Sequence, residues 1–172
     1  ASPITVILKS VPDLEVGAVT LPTQGQPDQS LAVGWTITNV GATNAMGSWA
    51  DEVYLLADGQ STGGTLLARV PHDGGLAQGG SYVGMANITL PRQFDGNYRV
   101  RIRSDADNAV FERGDEQNND GLSAGMLMLS HPNLTVTDVV VPGGQIEGYT
   151  LNVAVSWSVR NSGDRGSLVG SW

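Results

Sequence analysis

The sequence predicts an all-β protein, a Greek-key β-sandwich carried as a tandem repeat. Three observations make that prediction. Apolar residues alternate with small or polar ones at period two, and no segment sustains a helical period. Turn-forming residues punctuate the chain at short intervals, with Gly at 23 of 172 positions, which favours many short strands. The chain also repeats itself. Pro132-Asn-Leu-Thr-Val-Thr-Asp-Val-Val-Val-Pro142 restates Pro12-Asp-Leu-Glu-Val-Gly-Ala-Val-Thr-Leu-Pro22 with five of eleven positions identical. Val153-Ala-Val-Ser-Trp-Ser-Val-Arg-Asn-Ser-Gly163 restates Leu31-Ala-Val-Gly-Trp-Thr-Ile-Thr-Asn-Val-Gly41, again with five. Offsets of 120 and 122 residues are too long for a solenoid and suit a whole domain.

That period sets the expected boundaries. Residues 1–11 read as the last strand of a preceding module, 12–131 as one complete module, and 132–172 as the N-terminal part of a second. The run Ile4 to Leu8 falls before Pro12 where Ala124 to Met128 falls before Pro132, which makes it a closing strand. In the complete module the first strand runs from Leu14 to Leu21. Leu14 and Val16 share one parity while Val19 and Leu21 share the other, so a bulge or a switch between sheets is expected near Gly17. Leu31, Val33, Trp35 and Ile37 alternate with small or polar partners, as in a strand with one buried face. Trp35 on that face, and Trp157 at the matching place of the second copy, are expected to plug the core. After Trp49 comes the strand Glu52 to Ala57, then the turn Asp58 to Gly64, a short strand Thr65 to Val70, and a longer one, Ser81 to Leu90. On Asn97 to Arg103, Tyr98, Val100 and Ile102 point inward and Arg99, Arg101 and Arg103 outward. The arginine stripe is expected to meet carboxylates on neighbouring strands. An acidic loop, Ser104 to Asp120, and a closing strand, Leu122 to Ser130, complete the module.

Composition narrows the function. A net charge of −8 with a single lysine, Lys9, argues against nucleic acid and anionic membrane surfaces, both of which reward clustered cations. No apolar run approaches a membrane span, so insertion is not expected. With no cysteine, neither a disulfide framework nor a zinc-thiolate site can form, and a module of 120 residues can bury a two-layer core without either. Catalysis has few candidates. His72 and His131 sit in a Pro-flanked loop and at a module junction, and no nucleophile elbow is present.

The acidic loop is the stretch with metal-like chemistry. Asp105, Asp107, Glu112, Asp115 and Glu116 are the calcium candidates, because calcium takes hard oxygen ligands. The EF-hand template fails on it: Val110 stands where that loop requires Gly. The competing expectation is a loop whose Asp and Asn side chains cap their own backbone.

The opening Pro12-Asp-Leu-x-Val, then Val33-Gly-Trp35-Thr-Ile-Thr-Asn39-x-Gly41, Trp49-x-Asp51-x-Val53-Tyr-Leu55, and Asp105 to Glu112 leading to Glu116-Gln-Asn-Asn119 resemble the bacterial cell-adhesion-related domain family, CARDB. The resemblance implies a non-catalytic immunoglobulin-like module, repeated in tandem in large secreted or cell-surface proteins. It names no receptor; the partners expected are neighbouring repeats, other copies joined by pairing of unpartnered apolar strands, or a cell-surface or glycan receptor. The alternative is an accessory or carbohydrate-binding module of a secreted hydrolase. A sugar platform needs exposed aromatic faces, and with Trp35, Trp157 and Tyr98 committed to the core, Trp49, Tyr54 and Tyr82 remain to form one.

Overall fold

In the computed structural model, residues 8–141 and 153–163 are described. All their regular structure is strand, and the expected closing strand Ile4 to Leu8 lies outside them except for its last residue. The chain divides into two compact units, Ala1–Leu129 and Ser130–Trp172.

Among its described residues the first unit holds nine strands: β1 (Leu14–Thr20), β2 (Gln24–Gly25), β3 (Ser30–Asn39), β4 (Trp49–Ala57), β5 (Thr65–His72), β6 (Ser81–Thr89), β7 (Gly96–Arg103), β8 (Asp120–Leu122) and β9 (Leu127–Leu129). They form two sheets. One is three-stranded and antiparallel, in the order β1-β3-β6. The other runs β2-β9-β7-β4-β5, with β8 also paired to β7. Their inner faces bury one apolar core: Leu14, Val33, Trp35, Ile37 and Ile88 from the first sheet against Val53, Leu55, Val100, Ile102 and Leu127 from the second.

Local chemistry explains each element. β3 alternates buried and open positions along its ten residues, with Leu31, Val33, Trp35, Ile37 and Asn39 all turned inward. β1 shifts register between Val16 and Val19, which lets Leu14 and Val19 both reach the core despite their opposite parity. β5 is an edge strand, where Pro71 removes no ladder donor that the sheet needs. The closing strand expected from Leu122 to Ser130 is broken. β8 pairs with Arg101 to Arg103 and β9 with Gly96 to Tyr98, while Ser123 between them donates through its backbone and accepts through Oγ along β7. β2, which pairs with β9 in parallel, lies between the expected strands Leu14 to Leu21 and Leu31 to Ile37, where the sequence offers only polar residues, Gly and Pro.

The second unit contains one described hairpin-like pair, β10 (Leu134–Val140) and β11 (Ser156–Asn161), antiparallel. Trp157 is 65% exposed on it, against 1% for Trp35. The expectation that Trp157 plugs a core is therefore corrected. No second layer lies over these strands among the described residues, and a two-stranded sheet cannot bury a face by itself.

Candidate functional site

The acidic loop folds onto itself. Asp105, fully buried with φ +45°, accepts the backbone N–H of Ala109 at Oδ1 and of Val110 at Oδ2, each at 2.8 Å. A positive φ is tolerated by Asp because its side chain bonds locally. Asp107 is exposed and pairs with Arg69, which also holds Glu52 at 2.9 Å. Glu116 accepts from the Asn119 amide at 3.0 Å, and burial raises its pKa. Asp115 is exposed. Glu112 is 0% exposed and accepts the Leu14 N–H at 3.1 Å, which ties the loop to the first residue of β1. Burial lifts the Glu112 pKa to about 7; the Leu14 N–H opposes that rise, and the nearby Glu116 and Asp13 charges add to it.

Four of the five calcium candidates, Asp105, Asp107, Glu112 and Glu116, thus hold separate partners, and Asp115 stands exposed. Among the described residues no three acidic or imidazole groups converge on one point, so the set Asp105, Asp107, Glu112, Asp115 and Glu116 does not fit a metal as placed. Their spacing in sequence resembles a ligand cluster, but the loop turns the carboxylates towards backbone donors and arginine instead. Asn118 extends this lacing by donating to Asp13 at 2.7 Å.

The aromatic candidates meet around a buried carboxylate. Asp51 on β4 is 1% exposed. Its Oδ2 accepts the Trp35 indole N–H at 2.7 Å and the Tyr82 hydroxyl at 2.8 Å, and its Oδ1 accepts the Ser104 hydroxyl at 2.9 Å. The Trp49 indole donates to the Tyr82 oxygen at 3.0 Å, and His72 stacks on Tyr82 with ring centroids 3.9 Å apart. Burial first, and then the Asp51 charge, push the Tyr82 phenol upward, so it stays protonated and keeps donating. Trp35 and Tyr82 lie on the three-stranded sheet, Asp51 on the facing one. The carboxylate is therefore a polar rivet between sheets. Sequence parity carried the signal: Asp51 shares the inward register of Trp49, Val53 and Leu55. Gly84 had no such signal. It sits opposite Trp35 on β6, and a Cβ there would overlap the indole ring.

These contacts remove the proposed sugar platform. Trp49 is buried, its ring tilted 48° from that of Tyr82. Tyr54 bonds to Glu52 and lies under the Arg101 guanidinium, 4.9 Å from its centroid. Arg101 in turn meets Asp120 at 2.7 Å, the kind of pairing expected for the arginine stripe. Tyr98 is half-buried against the core and edge-on to Phe94. One open cleft of about 710 Å³ lies at the end where β1 begins, with exposed Met46 and Phe111 beside Lys9 and Arg113.

A clamp closes the start of each unit's first strand pair. In the first, Asn39 Oδ1 accepts the N–H groups of Asp13 and Gly41 at 3.2 and 3.1 Å, and Val40 donates to the Asp13 carbonyl at 2.8 Å. In the second, Asn161 Oδ1 accepts from Asn133 and Gly163, both at 3.0 Å, and Ser162 donates to the Asn133 carbonyl at 2.7 Å. Gly41 and Gly163 are both required, since a Cβ on either would run into the backbone of the incoming segment. The strand registers coincide too. Leu14↔Asn39, Val16↔Ile37, Val19↔Trp35 and Thr20↔Gly34 reappear as Leu134↔Asn161, Val136↔Val159, Val139↔Trp157 and Val140↔Ser156, each pair with one bulge after its third position.

Two facing sheets, an apolar core and a buried polar rivet define a β-sandwich module built for packing. The CARDB family pattern matches residues 11–121, and the chain belongs to the CARDB family. Its domains are not known as catalytic, and membership supports an adhesion-like β domain. Among solved structures, the chain is similar to the CARDB domain of a Pyrococcus furiosus protein, crystallised in complex with di-metal ions. That likeness has 21% identity and a TM-score of 0.52, over 73% of this chain and 94% of that one. The solution structure of the same domain gives 21% and 0.52, over 70% and 97%. These likenesses show the fold alone. A β-glucosidase from Listeria innocua in complex with glucose matches at 18% identity and a TM-score of 0.47, over 70% of this chain but 16% of the enzyme. No curated protein matches. Among the described residues no helix is long and apolar enough to cross a membrane.

Proposed function

We propose that this chain is a stretch of a tandem array of immunoglobulin-like Greek-key modules in an extracellular or cell-surface protein, where it serves as a non-catalytic structural and adhesive repeat. The observation that carries the reading is the duplicated strand pair: identical register, bulge position and Asn-x-Gly clamp at Asp13–Gly41 and Asn133–Gly163. Sequence echo alone permits divergence in structure; shared register and capping support one build used twice. The partners in this reading are neighbouring repeats, and the cleft beside Met46 and Phe111 is the concave surface open to a receptor. Among the described residues the acids of the loop do not converge on one point, while the Pyrococcus furiosus domain was crystallised with di-metal ions. The hydrolase-accessory alternative loses its aromatic platform and is not carried further.

Stretching single molecules of the native, full-length protein tests the proposal. An array of 120-residue modules unfolds in recurring steps, each lengthening the chain by roughly 400 Å, at 3.3–3.6 Å per extended residue. A single step that does not recur contradicts it. Protease shaving of intact cells tests location separately: release of module fragments supports surface display, and full protection contradicts it.

A further inference from the structure

The buried carboxylates of the acidic loop hold its shape, and the loop so held presents two side chains to solvent. Asp105 takes the N–H groups of Ala109 and Val110, and Glu112, 0% exposed, takes that of Leu14. On either side of that inward anchor stand Phe111, 72% exposed, and Arg113, also exposed. Arg113 is held at φ +60°, a conformation that residues other than Gly, Asn and Asp seldom adopt. An aromatic ring left in water adds nothing to the core. Fixed there in advance by its loop, it meets a partner with less entropy to lose.

Phe111 and Arg113 border the cleft of about 710 Å³, together with Lys9 and with Met46, which is 75% exposed. Charge in the cleft runs against the rest of the protein. The chain carries a net charge of −8, yet among the described residues no Asp or Glu lines this cleft. Arg69, Arg92 and Arg101 are spent on carboxylates, whereas among the described residues Lys9 and Arg113 enter no ion pair. Two unspent cations beside two exposed apolar side chains complement a ligand that carries a carboxylate next to an apolar group. Resting on the reading of this cleft as the receptor surface, we propose that its occupant is an acidic peptide segment of a partner protein. An aliphatic or aromatic side chain of that segment lodges against Met46 and Phe111, and flanking carboxylates meet Arg113 and Lys9. The flexible thioether of Met46 adapts to peptide side chains of different shape, which favours a peptide over the stiff ring of an acidic sugar.

The test titrates the 172-residue protein into rhodamine-labelled probes at low salt and reads fluorescence anisotropy. The probes are the end-blocked peptide Glu-Leu-Glu-Phe-Glu, the same peptide with Gln for every Glu, and an oligoglucuronate of equal charge. The acidic peptide is expected to bind at least about tenfold more tightly than either of the others, and to weaken as salt rises. Phe111→Ala, and Lys9→Gln combined with Arg113→Gln, are each expected to weaken it at least about fivefold. Arg92→Gln, which removes a cation paired with Asp28 away from the cleft, is expected to leave binding unchanged. All these side chains are exposed, and urea midpoints report that each variant stays folded. No binding of the acidic peptide, or a loss on Arg92→Gln equal to that of the cleft variants, overturns the proposal. Equal binding of the neutral peptide, lost on Phe111→Ala, overturns the preference for acid and leaves the cleft a receptor surface. Tighter binding of the oligoglucuronate gives the cleft to an acidic glycan and overturns the peptide. Self-association in light scattering that Phe111→Ala abolishes gives it to a second copy and overturns the separate partner. The stretching experiment judges the repeat reading independently of all of these.

Discussion

Replacing Trp35 by Phe separates the indole's hydrogen bond from its bulk. In the parent, Asp51 is a buried carboxylate with three donors: Trp35 Nε1 at 2.7 Å, Tyr82 OH at 2.8 Å and Ser104 Oγ at 2.9 Å. Phe keeps an aromatic ring over Gly84 but withdraws one donor from a charge that water cannot reach. A hydrogen bond to a charged group contributes about 1.5–3 kcal/mol, and the smaller ring adds a modest cavity cost. Trp35→Phe is therefore expected to cost about 2–4 kcal/mol, and Trp35→Ala about 3–5 kcal/mol or somewhat more. Urea unfolding followed by far-ultraviolet circular dichroism measures both. A double-mutant cycle with Asp51→Asn isolates the pair, because the neutral amide no longer presents a charge to the indole. A coupling of at least about 1 kcal/mol is expected. The reasoning fails if Trp35→Phe stays within about 0.5 kcal/mol of the parent, the range of an ordinary surface change.

Three further outcomes follow from the same geometry. Gly84→Ala drives a Cβ into the Trp35 indole and is expected to cost about 1–3 kcal/mol by urea unfolding, with Trp35→Phe partly relieving it. Asn39→Ala removes acceptor and donor at once, since Nδ2 also bonds the carbonyls of Thr43 and Leu76; a loss of about 2–3 kcal/mol is expected, and a loss below about 0.5 kcal/mol would deny the clamp its role. Glu112 gives a pH dependence. Its folded pKa, about 7, lies above the ordinary 4.5, so the folded state holds the extra proton between those values. Its contribution is fully present below about pH 4.5, fades as pH rises to about 7 and is level above, a change of order 3 kcal/mol. Glu112→Gln keeps an acceptor for Leu14 and is expected to flatten that part of the stability profile between pH 5 and 8; an unchanged slope would assign it to other groups.

Much of the fold is legible in the sequence because period-two alternation on β3 and β7 is unambiguous, and the parity break on β1 announces its bulge. The parallel pair β2–β9 is not legible, since the two residues of β2 carry no period and their partner lies over a hundred positions away. Site residues divide on the same principle. Asp51 is readable from parity, once an acid on an inward position is taken as a partner for an indole. Asp105 and Glu112 mislead, because composition records how many oxygens a loop owns and not which backbone donors they face. Trp157 misleads for another reason: its sequence matches Trp35, but burial depends on a facing sheet that the described residues do not include.

A first unit held by its apolar core and the Asp51 rivet is expected to fold by itself, without metal or partner. Urea unfolding of residues 8–131 alone, beside the full 172-residue chain and with and without a chelator, tests this most directly. One cooperative transition is expected for the excised unit. Its midpoint matches that of the first unit in the whole chain, and the chelator does not move it. A fragment that fails to fold, that loses more than about 1 kcal/mol on excision, or that collapses on chelation would contradict it.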